Sequence, residues 1–203
     1  MAYLKDQVYE ELRNRIIECK YEPGAIANET MLMRDLGVSR TPVREALHRL
    51  AIENLVTIIP KKGVIIKGIS IDDIVQIFDA RIVVEPQLMV MYGSRFTKDT
   101  LQKYLDNCRS ASTVEEIIHL DEYFHNELYQ LCGNRYLREM LLMVEGHNHR
   151  NRIWRSNEKR VYDSLQEHIG ITKALLDENY ELAGDRMKKH LSQAREYAIQ
   201  KYL

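Results

Sequence analysis

The chain has 203 residues, of which 45% are hydrophobic and 29% charged, and its formal net charge at pH 7 is −1. This composition supports one large domain or two small ones with a buried core, and the near-zero charge does not by itself indicate a nucleic-acid binder. Its apolar stretches are short and interrupted by charges, and its N-terminus lacks the apolar core of a signal peptide. Three cysteines, far apart and outside CxxC spacing, suit a reducing compartment. We therefore expect a soluble cytoplasmic protein that does not span a membrane.

Residues 1–68 mix helices with a β-hairpin. Apolar residues at helical spacing predict a first helix over 4–20, which the turn YEPG ends. Asn28 is the expected N-cap of a short second helix over 29–36, and Gly37 closes that helix. A third helix opens in the stretch GVSRTPVREALHRL that follows. The runs LVTIIP and GVIIKG are rich in β-branched residues and predict two strands of a hairpin.

From residue 69 onward the chain reads as helical throughout, because apolar residues recur at intervals of three and four. Six helices fit this pattern, over about 71–93, 97–109, 113–132, 134–150, 158–177 and 179–202. The pattern predicts two domains, over 1–68 and 69–203, and a mainly α fold in which the second domain is an all-helical bundle.

The third helix has two faces. Val43, Leu47 and Leu50 fall on one side of the helical wheel and are expected in the core, whereas Arg44 lies opposite them and Arg40 lies at the edge. Arginines at a helix N-terminus conflict with the macrodipole, but they suit a helix end that faces an anion. Both can also make bidentate contacts with guanine. The alternative is an ordinary solvated basic face.

The context of this helix favours DNA. Three helices, with a short turn between the second and third, followed by a two-stranded ribbon, make a winged helix-turn-helix, whose third helix enters the major groove. Lys61, Lys62 and Gly63 form the basic tip of the wing. The glycine permits close approach of the backbone to the sugar-phosphate.

The motif GVSRTPVREAL, preceded by ET-x-L-x-x-x-L and followed by a glycine-tipped wing, resembles the DNA-binding domain of GntR-type bacterial transcriptional regulators. Thr30 stands where many relatives carry a basic residue, and Arg34, one turn later, is expected to replace that phosphate contact. The resemblance implies that further residues contact bases, phosphates or the minor groove, namely Ser39, Arg40, Thr41, Arg44 and Gly63.

Four ionisable residues of the second domain occupy positions where the helical pattern expects apolar ones. Asp121 and His125 are one turn apart and project from one helix face. His168 and His190 stand at similar distances before and after the turn at 177–179, so in an antiparallel pair of helices they lie at one level. Three imidazoles and a carboxylate can then converge on Zn²⁺, Ni²⁺, Mn²⁺ or Fe²⁺. The alternative is a set of separate core histidines, each satisfied by its own partner.

The motifs D-x-x-F-H-x-x-L-x-x-x-x-G-N at 121–134, E-H-x-x-I at 167–171 and M-x-x-H-L at 187–191 resemble the FCD effector domain of FadR-type GntR regulators. The resemblance implies that the same four residues hold a divalent metal. It also implies that a small organic acid binds beside the metal, with Arg81 as its carboxylate partner. An intrahelical pair of Arg81 with Glu85 is the alternative role for that arginine.

These patterns predict a ligand-responsive repressor, not an enzyme, that binds a palindromic operator as a homodimer. Two alternatives remain at this stage. A metalloenzyme would also use a carboxylate with histidines and open positions, but it leaves the winged domain unexplained. A purely structural metal is the second alternative, because four protein ligands can close a tetrahedral zinc site.

Overall fold

A computed structural model describes residues 2–60, 62–155 and 158–202 of the chain. Within this described part the chain divides into two compact units. The first takes in the chain up to Ser70 together with His149–Trp154, and the second takes in Ile71–Asn148 and the chain from Arg155 onward. The fold is mainly α, with a winged helix-turn-helix followed by a helical domain, as the sequence predicts.

The first unit contains three complete helices and a small sheet, with α1 at Ala2–Ile17, α2 at Glu29–Leu36 and α3 at Arg40–Ile52. The predicted hairpin is present as β2 (Val56–Ile59) and β3 (Gly63–Ile66). A further strand, β1 (Ile26–Ala27), pairs antiparallel with the other edge of β3, giving the order β1-β3-β2. The sequence did not predict β1, because two residues show no periodicity of their own.

The ends of α2 follow from local chemistry. The Asn28 side chain caps the helix by accepting a hydrogen bond from the backbone N–H of Met31, and Gly37 ends the helix with φ of +67°. Helix α1, in contrast, ends three residues before the predicted limit. Cys19 adopts a left-handed conformation with φ of +52° there, which interrupts the helix.

The core of the first unit forms where α1 and α3 pack together with α2 and the sheet. On α3 the predicted apolar side is buried and the opposite side is exposed, which confirms the two-faced character of this helix. The most deeply buried side chains, each no more than 2% exposed, include Leu12, Ile16, Leu32, Val43, Leu47, Leu50 and Ile66.

The described part of the second unit is helical, as predicted. Helix α7 runs five residues beyond its predicted end, and a single turn of 3-10 helix, Gly93–Arg95, follows α4. The helices are α4 (Ile71–Tyr92), α5 (Lys98–Ser110), α6 (Val114–Leu131), α7 (Arg135–Arg155), α8 (Glu158–Leu176) and α9 (Tyr180–Gln200). Residues His149–Trp154 of α7 are the ones that belong to the first unit.

Helix α9 packs tightly along α4 at a glycine. A Cβ atom added at Gly184 would lie 2.9 Å from the carbonyl oxygen of Pro86 and 3.2 Å from Val90, so the two backbones approach more closely than an alanine permits. This close approach brings the buried His190 of α9 towards the core that α4 lines. Nowhere in the described residues is a helix both long and apolar enough to cross a bilayer.

We predict that Gly184→Ala destabilises the protein by about 1–3 kcal/mol, because the new methyl group overpacks a backbone contact that cannot yield. Gly170→Ala is the matched control, since its added Cβ lies 3.5 Å from the flexible Arg186 side chain. Alanine is also the better helix former by about 1 kcal/mol, so Gly170→Ala should be neutral or stabilising. Urea unfolding of the two variants measures the difference, and equal stabilities would contradict the packing argument.

Candidate metal centre and nucleic-acid interface

The structure brings together the four residues that the sequence predicted as metal ligands. One donor atom from each of Asp121, His125, His168 and His190 lies within 4.8 Å of the donors of the other three. The Nε2 atoms of His168 and His190 are 3.3 Å apart, and Asp121 Oδ1 is 3.3 Å from His168 Nε2. All three histidines are buried.

Three helices place these side chains. Asp121 and His125 lie one turn apart on α6, and a capping box between Thr113 and Glu116 stabilises the first turn of this helix. His168 lies on α8 and His190 on α9, the helices on either side of the turn near residue 178. The expected level placement of the two imidazoles on neighbouring helices is therefore observed.

Each imidazole has a partner at its other nitrogen. Nδ1 of His125 is 2.7 Å from Oε2 of Glu85, and Nδ1 of His190 is 2.7 Å from Oε2 of Glu167. Nδ1 of His168 lies 2.9 Å from the hydroxyl of Tyr104. These contacts orient the rings and leave the Nε2 atoms for a common ligand, which is how histidines are held in metal sites.

One buried atom tests whether the residues fit a metal ion. Nε2 of His125 is fully buried and has no hydrogen-bond partner among the described residues. A buried polar nitrogen without a partner is unfavourable in a protein core, and coordination would satisfy it. Ser164 donates a hydrogen bond of 2.7 Å to Oδ1 of Asp121 and so orients the carboxylate. The donor set, three imidazoles and one carboxylate, fits Zn²⁺, Ni²⁺, Mn²⁺ or Fe²⁺.

Burial also sets the protonation of His168 and His190. Desolvation lowers the pKa of His168 well below its usual value and outweighs the opposing Asp121 carboxylate. Desolvation lowers the pKa of His190 as well, although the hydrogen bond that its Nδ1 donates to Glu167 opposes this shift. Neutral imidazoles at neutral pH are the form that binds metal.

Arg81 lies on α4 in a buried ionic network. Its Nε donates a hydrogen bond of 2.5 Å to Glu85, and its Nη1 lies 3.4 Å from a carboxylate oxygen of Glu145. The intrahelical pair considered as an alternative is therefore present. Nη2 of Arg81 is buried without a hydrogen-bond partner among the described residues.

Sequence reasoning did not assign the residues that hold this cluster. Glu85 had a signal only as the i+4 partner of Arg81, and Glu167 only as the first residue of the motif E-H-x-x-I. Tyr104 and Glu145 lie on two further helices, and nothing in the sequence signals that they lie near the histidines or Arg81.

The other candidate site lies on the first unit. Arg40, Thr41 and Arg44 are exposed on α3, and Glu29 pairs with both arginines, at 2.7 Å from Arg44 Nε and 3.3 Å from Arg40 Nε. Ser39 takes the N-cap position of α3, but its side chain makes no capping hydrogen bond.

The wing completes this surface. A cleft of about 580 Å³ lies between α3 and the hairpin, and its lining includes both α3 arginines, Lys62 and Gly63. Gly63 has φ of +123°, and an added Cβ would lie 2.7 Å from the carbonyl of Ala27, so the fold itself requires glycine there. Lys62 is exposed, as is Arg34 near the end of α2, whereas the predicted wing-tip residue Lys61 lies outside the described residues.

Comparisons with known proteins agree with both units. Residues 4–66 match the family described as bacterial regulatory proteins, gntR family, and residues 76–193 match the FCD domain. The HTH-type transcriptional regulator YdhC of Bacillus subtilis (strain 168) is 29% identical over 194 residues, covering 92% of this chain and 87% of the relative.

A second relative and a solved structure extend the likeness. The gluconate operon transcriptional repressor of Bacillus subtilis (strain 168) is 30% identical over 135 residues, covering 63% of this chain and 55% of the relative. The crystal structure of a GntR regulator from Rhodococcus sp. RHA1 superposes with a TM-score of 0.84 at 25% identity, over 99% of this chain and 100% of the other.

A winged helix-turn-helix joined to an effector domain of this kind defines a class, the DNA-binding transcriptional regulators. Within that class, the chain belongs to the GntR family of bacterial regulators and contains the FCD domain, which implies that it binds an effector.

The lowered histidine pKa values predict the pH dependence of stability for the metal-free protein. In the folded state His168 and His190 stay neutral at pH values where the unfolded chain, with a histidine pKa of about 6.5, takes up protons. The contribution of these two neutral histidines to the free energy of unfolding is therefore fully present above about pH 6.5 and is lost as the pH falls below it, because the unfolded chain then binds more protons than the folded chain.

Thermal unfolding of the chelated protein at pH 7.5 and 5.5 measures this loss. His168→Gln, which cannot titrate at that position, should show a smaller fall in melting temperature between the two pH values. An equal fall in both proteins would contradict the assignment of a neutral, buried His168.

Proposed function

We propose that this regulator is a repressor whose helical domain, residues 69–203, binds a divalent metal and a small organic acid. Its winged domain, residues 1–68, binds a palindromic operator, and two chains act together as a homodimer. The observation that supports the effector site best is the geometry of the histidines. Three buried imidazoles have partners at Nδ1, and their Nε2 atoms turn towards one point beside Asp121.

In this proposal Asp121, His125, His168 and His190 are the metal ligands. The bound metal supplies a Lewis acid with open positions at which a carboxylate can coordinate. Arg81 donates to the same carboxylate through its buried Nη2. Because a relative is a gluconate operon repressor, gluconate is the first acid to try.

On the DNA side, Arg40 and Arg44 read base edges in the major groove. Ser39, Thr41 and Arg34 contact phosphates or bases near α3. Lys62 contacts the backbone from the wing, and Gly63 lets the wing approach the minor groove. Glu29 holds both α3 arginines, so DNA binding exchanges these ion pairs for contacts with the nucleic acid.

The acid changes DNA affinity through its preference for one conformation of the effector domain. The largest possible change equals its differential affinity for the DNA-bound and free states. A second candidate function is a regulator whose metal is purely structural. It is favoured by the presence of four protein donors, enough to close a tetrahedral zinc site.

Metal analysis with a thermal-shift screen separates these two functions. The purified protein should contain about one divalent metal per chain, and a chelator should lower its melting temperature, because bound metal stabilises the folded state. Gluconate or another small carboxylate should raise the melting temperature of the metal-loaded protein only. Stoichiometric metal, with no change in melting temperature on addition of any acid, would favour the structural role. A protein without bound metal would contradict both candidate functions.

Two substitutions test the DNA interface on an operator obtained by in vitro selection. Arg44→Ala should weaken binding by about 1–3 kcal/mol and relax the preference at one base position. Lys62→Ala should weaken binding to all sequences alike and reduce the salt dependence by about one phosphate contact. Unchanged base preference in the first variant, or an unchanged salt slope in the second, would contradict the assigned role.

A further inference from the structure

The carboxylate of Glu85 lies between the two halves of the proposed effector site. Glu85 is fully buried on α4. Its Oε2 accepts from Nδ1 of His125 at 2.7 Å, whereas its Oε1 accepts from Nε of Arg81 at 2.5 Å and from the hydroxyl of Tyr129 at 2.7 Å. One oxygen therefore faces a proposed metal ligand, and the other faces the proposed anchor of the organic acid.

The charge of Glu85 determines which nitrogen of His125 is free. The buried guanidinium of Arg81, which stays protonated in proteins, forms an ion pair with Oε1 at 2.5 Å, so the carboxylate beside it is ionised. An ionised carboxylate only accepts hydrogen bonds, so Nδ1 of His125 must hold the proton. In the neutral ring, which is the form that binds a metal, the lone pair is then on Nε2, the buried atom that has no hydrogen-bond partner among the described residues.

The other two histidines are held differently. His168 faces the neutral hydroxyl of Tyr104, and the Glu167 partner of His190 is shared with Arg160 at a partly exposed position. Among these three contacts, only the contact with Glu85 is both fully buried and shared with the proposed acid anchor.

We propose that Glu85 is a positioning residue that presents Nε2 of His125 to the metal and links metal affinity to the state of Arg81. This inference rests on the proposed function of the site. It extends that function because Glu85 contacts neither the metal nor the acid. Any anion that draws the guanidinium of Arg81 away from Glu85 would change how strongly Glu85 supports His125.

The link predicts opposite effects for the two members of one ion pair. Removing the charge of Glu85 should weaken metal binding, because the imidazole loses its charged acceptor. Removing Arg81 should strengthen metal binding, because Glu85 becomes a stronger acceptor and a cation leaves the vicinity of the metal. If the pair only maintained packing, both substitutions would disturb the fold in the same way and both would weaken binding.

The experiment measures Zn²⁺ affinity by competition with a chromophoric chelator, and the visible spectrum of the Co²⁺-loaded protein, in full-length variants. Glu85→Gln keeps the side-chain size and leaves Arg81 beside Glu145, and it should lower Zn²⁺ affinity by about 10–100-fold and alter the Co²⁺ spectrum. Arg81→Gln should bind Zn²⁺ more tightly than the wild type. Tyr129→Phe is the control, since it removes a neutral donor to Oε1 but leaves the charges of Glu85 and Arg81 and the contact with His125 in place. It should change Zn²⁺ affinity far less than Arg81→Gln does and should keep the wild-type Co²⁺ spectrum.

Circular dichroism verifies the fold of each variant. If Glu85→Gln does not fold, the Zn²⁺ affinity of Arg81→Gln still tests the proposal. Weaker or unchanged Zn²⁺ binding by Arg81→Gln, compared with the wild type, overturns the link between Arg81 and metal affinity. Wild-type affinity and spectrum in a folded Glu85→Gln overturn the positioning role while the metal site itself stands. A wild-type protein that binds no Zn²⁺ overturns the proposed metal site and this inference together.

Discussion

The central constraint on the helical domain is that its buried imidazoles need a partner for every polar atom. Burial of a polar group without a hydrogen bond is unfavourable by roughly 1–3 kcal/mol in proteins. The domain satisfies the Nδ1 atoms with Glu85, Tyr104 and Glu167, which come from three helices around the cluster. The Nε2 atoms are thereby turned inward, and the helices that supply the partners must stay in register for the cluster to persist.

Tight packing of α9 along α4 helps to meet this constraint. The contact at Gly184 brings two helix backbones together, and each helix contributes to the polar core. Helix α4 contributes Arg81 and Glu85, and α9 contributes His190. A change in spacing between these helices would alter the hydrogen bonds of the polar core, and in the proposed effector site a small ligand would bias the arrangement of the helices in this way.

The winged domain has arginines where a helix disfavours positive charge. Its two base-reading candidates, Arg40 and Arg44, stand at a helix N-terminus, where cations are disfavoured, and both pair with Glu29. These pairs are more than half exposed on the arginine side, so they stabilise the free protein only slightly. The ion pairs with Glu29 therefore position the two arginines but are weak enough to be exchanged for contacts with a polyanion.

The sequence by itself determined the elements and the candidate residues. Helical periodicity, the Asn28 cap and the Gly37 stop are local, and the four ionisable residues stood out because they interrupted apolar stripes. Tertiary structure alone decided the rest. The strand β1 exists only through its pairing with β3, and Gly63 is required partly because Ala27 lies against it. Likewise Glu85 acquires its place beside His125 from the packing of α4 against α6, 40 residues apart in the chain. A contact between distant residues leaves no periodic trace in one sequence, so only the folded chain could reveal it.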